Sequence, residues 1–571
     1  MTRVVSPPRL APFGAPTPTC PNPGEHITAV RGDRGDAQWP AQSRSELVAR
    51  HGVVTSSHPI ASQAGLRMLQ LGGTAADAAI ATCAALGVLE PESAGLGSDL
   101  VALYHDPAAG LVTLDATGPA PAAWTPEYFA RANHTEMPRT GPDSVTVPGA
   151  VRGWAELHGR FGRLDFARLL EPAIELALDG FGVSELVHRD WQASADILRA
   201  DPDSAATFLV DGQAPELYSV VRNPGLARAL RLLQGDGPDA FYSGPIGRAL
   251  ADKVRAAGGA LTLDDLGGYR ARWAEPLSVD YRGYQVCQAP PSTQGFAVLE
   301  MLAILRAGAR ERGFDLAALG PRDPRFWHLL IETKKLAFAD LHAHGADPDL
   351  TDVPVPELLS DEHATRLCHR IDPDRAASPA TRTSHDGGTV YLAAADRRGA
   401  MVSFIASAAN GTFGSGLTVP GHGFALHSRG MLFSLRPGHP NRVAPGKRPF
   451  TTIIPGFVLR DGLPVLAFGN MGGHMQPQAQ VTELVNMIDL GMNPQAAGDA
   501  ARFLHDQATN RVELESELYR LVGRELATMG HDVHPANGAA MGGYQAIHFT
   551  PVHGVYRAAA DHRKDGAAVG W

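Results

Sequence analysis

Cysteine is scarce: Cys20, Cys83, Cys287 and Cys368 are the only four in 571 residues, widely spaced and without a CxxC pair. That argues against a disulfide scaffold and against a structural zinc site of the usual ligand spacing. Long apolar runs are missing too. No stretch reaches the length of a membrane span, and the first 25 residues carry no apolar core of signal-peptide length, so a cytoplasmic enzyme is expected. Lysine is rare, five of 50 basic residues, and with the abundant Ala, Gly and Pro this reads as a GC-rich coding bias rather than selection for guanidinium chemistry. A net charge of −10 excludes nucleic acid or an anionic membrane as the main partner. There is no GxxxxGK[ST], HExxH, GxSxG or EF-hand loop, and the 23 histidines are dispersed, so neither metal nor organic cofactor is expected.

What is present is an ordinary globular composition, 44% hydrophobic and 19% charged, in a chain long enough for a large core. The 62 glycines and 44 prolines, about a fifth of the chain, predict plentiful loops. Residues 1–45 are rich in Pro, Gly, Arg and Asp and read as a flexible N-terminal extension. A strand pattern follows at 47–55, then an Ala-rich helix after Gly73 with Thr74 as its N-cap. Asp77, a carboxylate on an otherwise apolar helix, needs a partner and reads as a structural hydrogen-bonding group in preference to a site residue. Helical patterns dominate 150–370, for example 166–179, 223–233 and 326–342. After 370 the texture changes to a polar loop over 376–388 and then a hairpin of 389–396 and 400–407 around Arg397, Arg398 and Gly399. Strands at 452–459 and 464–468 and helices at 478–491 and 494–501 complete what reads as one α+β body.

Gly387, Gly388 and Thr389 stand where the polar loop meets an apolar strand. Glycines free the backbone for strained geometry, and a Thr hydroxyl at a strand start can face a cavity, although as a bare pattern this is a loop-to-strand boundary. A denser set lies downstream: Asn410 to Gly416, Lys447 to Thr452, and Gly469 to His474. Adjacent glycines offer backbone N–H groups to a developing oxyanion, while Asn and paired Thr orient a nucleophile with neutral hydrogen bonds.

In order and spacing, these segments resemble the gamma-glutamyltransferase family of N-terminal-nucleophile hydrolases. The early Ala-rich region around Gly72 and Asp77, the Glu90 to Gly97 stretch, Gly388-Thr389, Asn410, Thr451-Thr452 and Gly472-Gly473 carry the resemblance over residues 50–571. It implies an αββα sandwich and a proenzyme that cuts itself between Gly388 and Thr389, giving a large subunit of residues 46–388 and a small subunit of 389–571. Thr389 is then both nucleophile and, through its new α-amine, base. Gly472 and Gly473 take the oxyanion-hole positions, and Asn410, Thr451 and Thr452 the substrate pocket. Lys447 and Arg448 read as holding their loop.

The chain departs from the family where the family grips its substrate. The arginine that clamps the α-carboxylate in a D-F-R-E-M-A-P segment is replaced by Thr117, which cannot form a bidentate cationic pair. The acidic residue of the N-Q-M-D-D-F-S stretch is replaced by Leu432. Each lost charged contact removes about 1.5–3 kcal/mol, which argues against glutathione as the substrate. His474 and Arg429 are the nearest candidates for binding another anionic group, the plainer reading being a surface His and a solvated Arg.

The resulting expectation is an autoprocessed threonine hydrolase or acyltransferase acting on an amide or related acyl bond of a small molecule. One alternative keeps the nucleophile for hydrolytic carbon–carbon cleavage of a dicarbonyl-like metabolite in secondary metabolism. The other is an unprocessed pseudoenzyme with a binding role.

Overall fold

The computed structural model describes residues 42–378, 388–411, 413–536 and 538–571. The expected extension falls almost wholly outside these residues, as does most of the polar loop at 376–388. Among the described residues Cys83, Cys287 and Cys368 are buried free thiols, and no helix is long and apolar enough to cross a membrane.

Two seven-stranded antiparallel sheets form the centre. In spatial order the first runs Leu47–Ala49, Val555–Ala560, Tyr544–Thr550, Leu463–Asn470, Gly456–Arg460, Tyr284–Gln288 and Leu277–Tyr281. The second runs Ala567–Gly570, Gly52–Ser56, Val390–Asp396, Met401–Ser407, Asp99–Asp106, Gly110–Ala116 and Arg272–Ala274. Strand side chains alternate between faces, and here both faces are covered. Tyr391, Ala393 and Ala395 point into the layer between the sheets with Ile405, Phe457, Ala467 and Ile547. Val390, Leu392 and Ala394 point outward against helices Pro59–Gln70 and Ala75–Leu89. On the far side, Val286, Val458 and Leu466 pack against helices Gly295–Arg312, Pro324–His344 and Met475–Ile488. The order helix, sheet, sheet, helix is the αββα sandwich that the resemblance implies. Double coverage is why the 390–396 and 401–407 strands are apolar without alternation.

Every residue of the Ala75–Leu89 helix is buried. Asp77 has the structural role expected of it: it accepts from the Thr74 N–H at 2.8 Å in a capping box and from the Arg163 and Leu164 N–H groups at 3.1 and 3.3 Å. The neighbouring helix can approach because Gly65 has no side chain, since a Cβ there would sit 2.2 Å from Thr82 Oγ1.

Several elements differ from the sequence pattern, each for a local reason. The 47–55 strand divides at Arg50 and His51, whose N–H groups donate to the carbonyl of Trp571, so its halves join different sheets. The 166–179 helix breaks into Phe166–Leu169 and Glu171–Asp179, with Pro172 opening the second piece. Residues 452–455 are not a strand, because Thr451 pairs with the Ser292 to Gln294 segment and Pro455 has no N–H for a ladder. The 478–491 helix begins three residues early, at Met475, because Pro477 is tolerated in a first turn.

Candidate active site

The hairpin of Val390–Asp396 and Met401–Ser407 pairs Val390 with Ala406, so the next residues outward, Thr389 and Ser407, face each other. Thr389 shares the face of Tyr391 and opens toward the layer between the sheets, 5% exposed. Its hydroxyl donates to Ser407 Oγ at 3.3 Å, and the Ser407 hydroxyl donates to the Gly388 carbonyl at 2.6 Å. The Ala409 N–H holds Ser407 Oγ at 2.9 Å, and the Gly388 N–H donates to the Ala409 carbonyl at 3.2 Å. Gly388 must be glycine, because a Cβ there would lie 2.1 Å from Gly411 Cα. One hydroxyl thus touches both partners of a possible acyl shift, the attacking oxygen and the carbonyl oxygen that would take up charge.

The glycine pair ends the Leu463–Asn470 strand and opens the Met475–Ile488 helix, with φ of +105° at Gly472 and +57° at Gly473. Positive φ turns successive N–H groups toward one side, and a helix N-terminus adds its dipole. Three supports hold this loop. The Gln294 amide donates to the carbonyls of Thr452 at 2.5 Å and Gly473 at 2.9 Å. Asn470 accepts from the Gly543 N–H at 3.2 Å and donates to Glu483 at 2.8 Å. Arg502 then pairs with Glu483 at 3.1 Å and Asp561 at 2.8 Å, all three fully buried. Burial pushes the Glu483 carboxyl up to about 7. Asp561 is buried as well, yet Arg502 and Arg563 outweigh that and bring it down to about 2.

Arg429 does not meet open space. Its guanidinium grips Asp99 with contacts of 2.6 and 2.9 Å, both side chains wholly buried, and its third nitrogen donates to Thr452 Oγ1 at 3.4 Å. The expectation of a solvated or anion-binding Arg429 is corrected on that ground: its charge is neutralised by a carboxylate two strands from the nucleophile. Asp99 lies opposite Ser407 in the sheet. Thr389, Ser407, Asp99, Arg429, Thr452, Gln294 and Gly473 therefore form one connected chain of neighbours.

The remaining expected residues are placed as follows. Thr451 exchanges backbone bonds with Ser292 and Gln294 at 2.9 and 3.1 Å. Asn410 sits at the surface, accepting from exposed Arg139 at 3.4 Å. Thr117 is buried and donates through its hydroxyl to Asp115 at 2.6 Å, which Arg272 also holds at 2.8 Å. His474 is not a surface residue: it is buried with its ring 5.3 Å from Phe338, 5.6 Å from His342 and 6.2 Å from Phe450. Lys447 bonds Thr351 at 3.0 Å and Arg448 bonds Asp349 at 3.0 Å, so both secure their loop. Ser407, Asp99 and Gln294 were not anticipated. Ser407 was within reach, since the hairpin register alone puts it opposite Thr389, whereas Asp99 and Gln294 arrive from distant segments and leave no local signal.

Among the described residues two groups have metal-ligand composition, His328 with Glu332 and His531, and Glu300 with Asp340 and His363. Both contain their own partners: Lys335 holds Glu332 at 2.8 Å, and His363 lies 2.8 Å from Asp340.

The sandwich, with a hydroxyl at the start of a central strand of one sheet and a glycine pair after a strand of the other, is that of an N-terminal-nucleophile hydrolase. The sequence model of the gamma-glutamyltranspeptidase family matches residues 61–571. An oxamate amidohydrolase proenzyme of Klebsiella pneumoniae is 37% identical over 92% of this chain and all of its own length. A glutathione hydrolase-like proenzyme of Bacillus subtilis is 35% identical over 91% of this chain and 98% of its own. The crystal structure of a cephalosporin acylase from Bacillus halodurans superposes with a TM-score of 0.88 at 39% identity, covering 95% of this chain and 99% of that one. The chain belongs to the gamma-glutamyltranspeptidase family. It is an enzyme, an autoprocessed hydrolase of the amide-cleaving, acylase-like kind, which sets the pure binding role aside.

Proposed function

We propose that Thr389 is the nucleophile of this enzyme twice over, first on its own chain and then on substrate. In the precursor the Thr389 hydroxyl attacks the Gly388 carbonyl carbon, Ser407 stabilises the carbonyl oxygen as it gains charge, and the peptide nitrogen leaves as the new α-amine. Water then hydrolyses the ester, separating a large subunit ending at Gly388 from a small subunit of residues 389–571. That amine has an ordinary pKa near 7.7–8.0, so a useful fraction is neutral at physiological pH and can accept the hydroxyl proton during turnover. The Thr389 oxygen attacks the substrate amide carbonyl, whose oxyanion the Gly472 and Gly473 N–H groups receive; the C–N bond breaks and the amine leaves with the proton the α-amine took, while Asn410, Thr451 and Thr452 border the acyl group. Water, or an acceptor amine, releases the acyl group.

A glutamyl substrate fits poorly, because Thr117 and Leu432 offer neither the cation nor the anion that an amino acid's two charges require. The observation that carries the reading is the Ser407 hydroxyl bridging the Thr389 hydroxyl side and the Gly388 carbonyl, at 3.3 and 2.6 Å. Intact-mass spectrometry tests it. Wild type should yield a fragment beginning at Thr389, and Thr389→Ala should remain one 60.4 kDa chain without amidase activity. A Thr389→Ala protein that still divides at this bond sinks the assignment.

A further inference from the structure

The acyl side of the site can be read from the groups around the glycine pair. Helix Pro324–His344 presents Phe338 and His342 one turn apart on one face. Phe450 enters from the segment leading to Thr451, Leu432 from the turn Arg429–Leu432, and His474 follows Gly473 directly. The His474 ring stacks on His342 at 21° between planes and on Phe450 at 22°, while Phe338, Leu432 and Phe450 share one apolar cluster with Ala409, the neighbour of Asn410. Thr389, Leu432, Phe450 and His474 keep 4–8% exposure where Phe296 and Ala297 beneath them have none, and His342 is half-buried.

Charge is withdrawn from this wall. Arg429 is spent on Asp99. Lys334 lies over the Phe338 ring at 3.9 Å, bonds His505 and Gln507, and is driven by burial well below the usual ammonium range. Arg448 is taken by Asp349. Among the described residues Arg139 is an exposed cation that donates to Asn410 at 3.4 Å, at the rim of this region.

We propose that this wall is the acyl-binding subsite and that the acyl group it takes is apolar, an aliphatic or aryl chain bearing neither an ammonium nor a terminal carboxylate. Flat rings and a leucine reward contact with apolar surface, and an ammonium or carboxylate placed among them gives up hydration. The proposal rests on Thr389 being the nucleophile.

The test is a panel of p-nitroanilides, phenylacetyl, hexanoyl, glutaryl and γ-glutamyl, assayed with the processed enzyme, together with calorimetric binding of phenylacetate and glutarate. The apolar pair should exceed the charged pair by about 100-fold in kcat/KM. Leu432→Asp and, as a milder change, Phe450→Leu should raise KM for phenylacetyl substrate about tenfold with kcat less affected. Preference for glutaryl or γ-glutamyl substrate overturns the proposal, and loss of that preference in Arg139→Ala would reassign recognition to that cation. Processed enzyme inert toward both apolar amides also overturns it. A chain that never acquires an N-terminal Thr389 fails the nucleophile reading instead, and the binding comparison then judges the subsite alone, tighter phenylacetate supporting it and tighter glutarate rejecting it.

Discussion

Ser407 is where a single side chain has the most to say. A hydroxyl that receives from Thr389 and donates to the Gly388 carbonyl stabilises a developing oxyanion, and losing one such donor in an oxyanion hole costs on the order of 10²–10³ in rate. Ser407→Ala should therefore slow self-cleavage by about that factor, while Ser407→Thr, which keeps the hydroxyl, should mature at a rate close to wild type. Band intensities on a denaturing gel over hours after synthesis measure this, and a Ser407→Ala chain that matures as fast as wild type removes Ser407 from the mechanism. At this scale the sequence was informative about residue type and silent about partners. Thr389, Gly472 and Gly473 could be nominated because their order along the chain is distinctive. That Arg429 is consumed by Asp99 could not, since the two are 330 positions apart.

Among the elements, the strand-to-helix turn at residues 470–475 depends most on its surroundings. Asn470 fixes it to Glu483 on the following helix, and Arg502 and Asp561 fix Glu483. Because Glu483 titrates near 7 in the folded chain against 4.5 for a free side chain, the folded state binds more protons between those values. Its contribution is therefore complete below pH 4.5 and is lost as pH rises to 7, a swing of up to roughly 3 kcal/mol. Urea unfolding of Glu483→Gln should show a flatter stability profile between pH 5 and 7.5 than wild type. An unchanged slope would mean that Glu483 does not titrate there. The boundaries of elements were legible where the chain carries its own stop signals, as at Thr74 and in the 396–400 turn. They were obscured where a remote strand or a buried carbonyl ended the pattern, as at Arg50.

The whole molecule is interlaced across the proposed cut. Gly52–Ser56 lies between Ala567–Gly570 and Val390–Asp396, Met401–Ser407 pairs with Asp99–Asp106, Leu47–Ala49 with Val555–Ala560, and Tyr284–Gln288 with Gly456–Arg460. Both sheets contain strands from each side of residue 388, so parting the subunits means tearing two cores open. The processed enzyme should elute from size-exclusion chromatography as one species that shows two bands only under denaturing conditions. Fragments that separate in native buffer would contradict this interleaving.

The sequence by itself determined the alternation of buried strands and helices, the hairpin that brings Thr389 and Ser407 opposite each other, and the order of glycines and hydroxyls that marks the family. These are local properties, set by periodicity, turn chemistry and backbone freedom over a few residues. The tertiary structure alone decided which charges are neutralised, that Gln294 joins Thr452 to Gly473, and that aromatic rings from separate segments surround His474. Those pairings depend on close packing of elements hundreds of residues apart, where the energy of a contact resides in distance and burial rather than in any spacing along the chain.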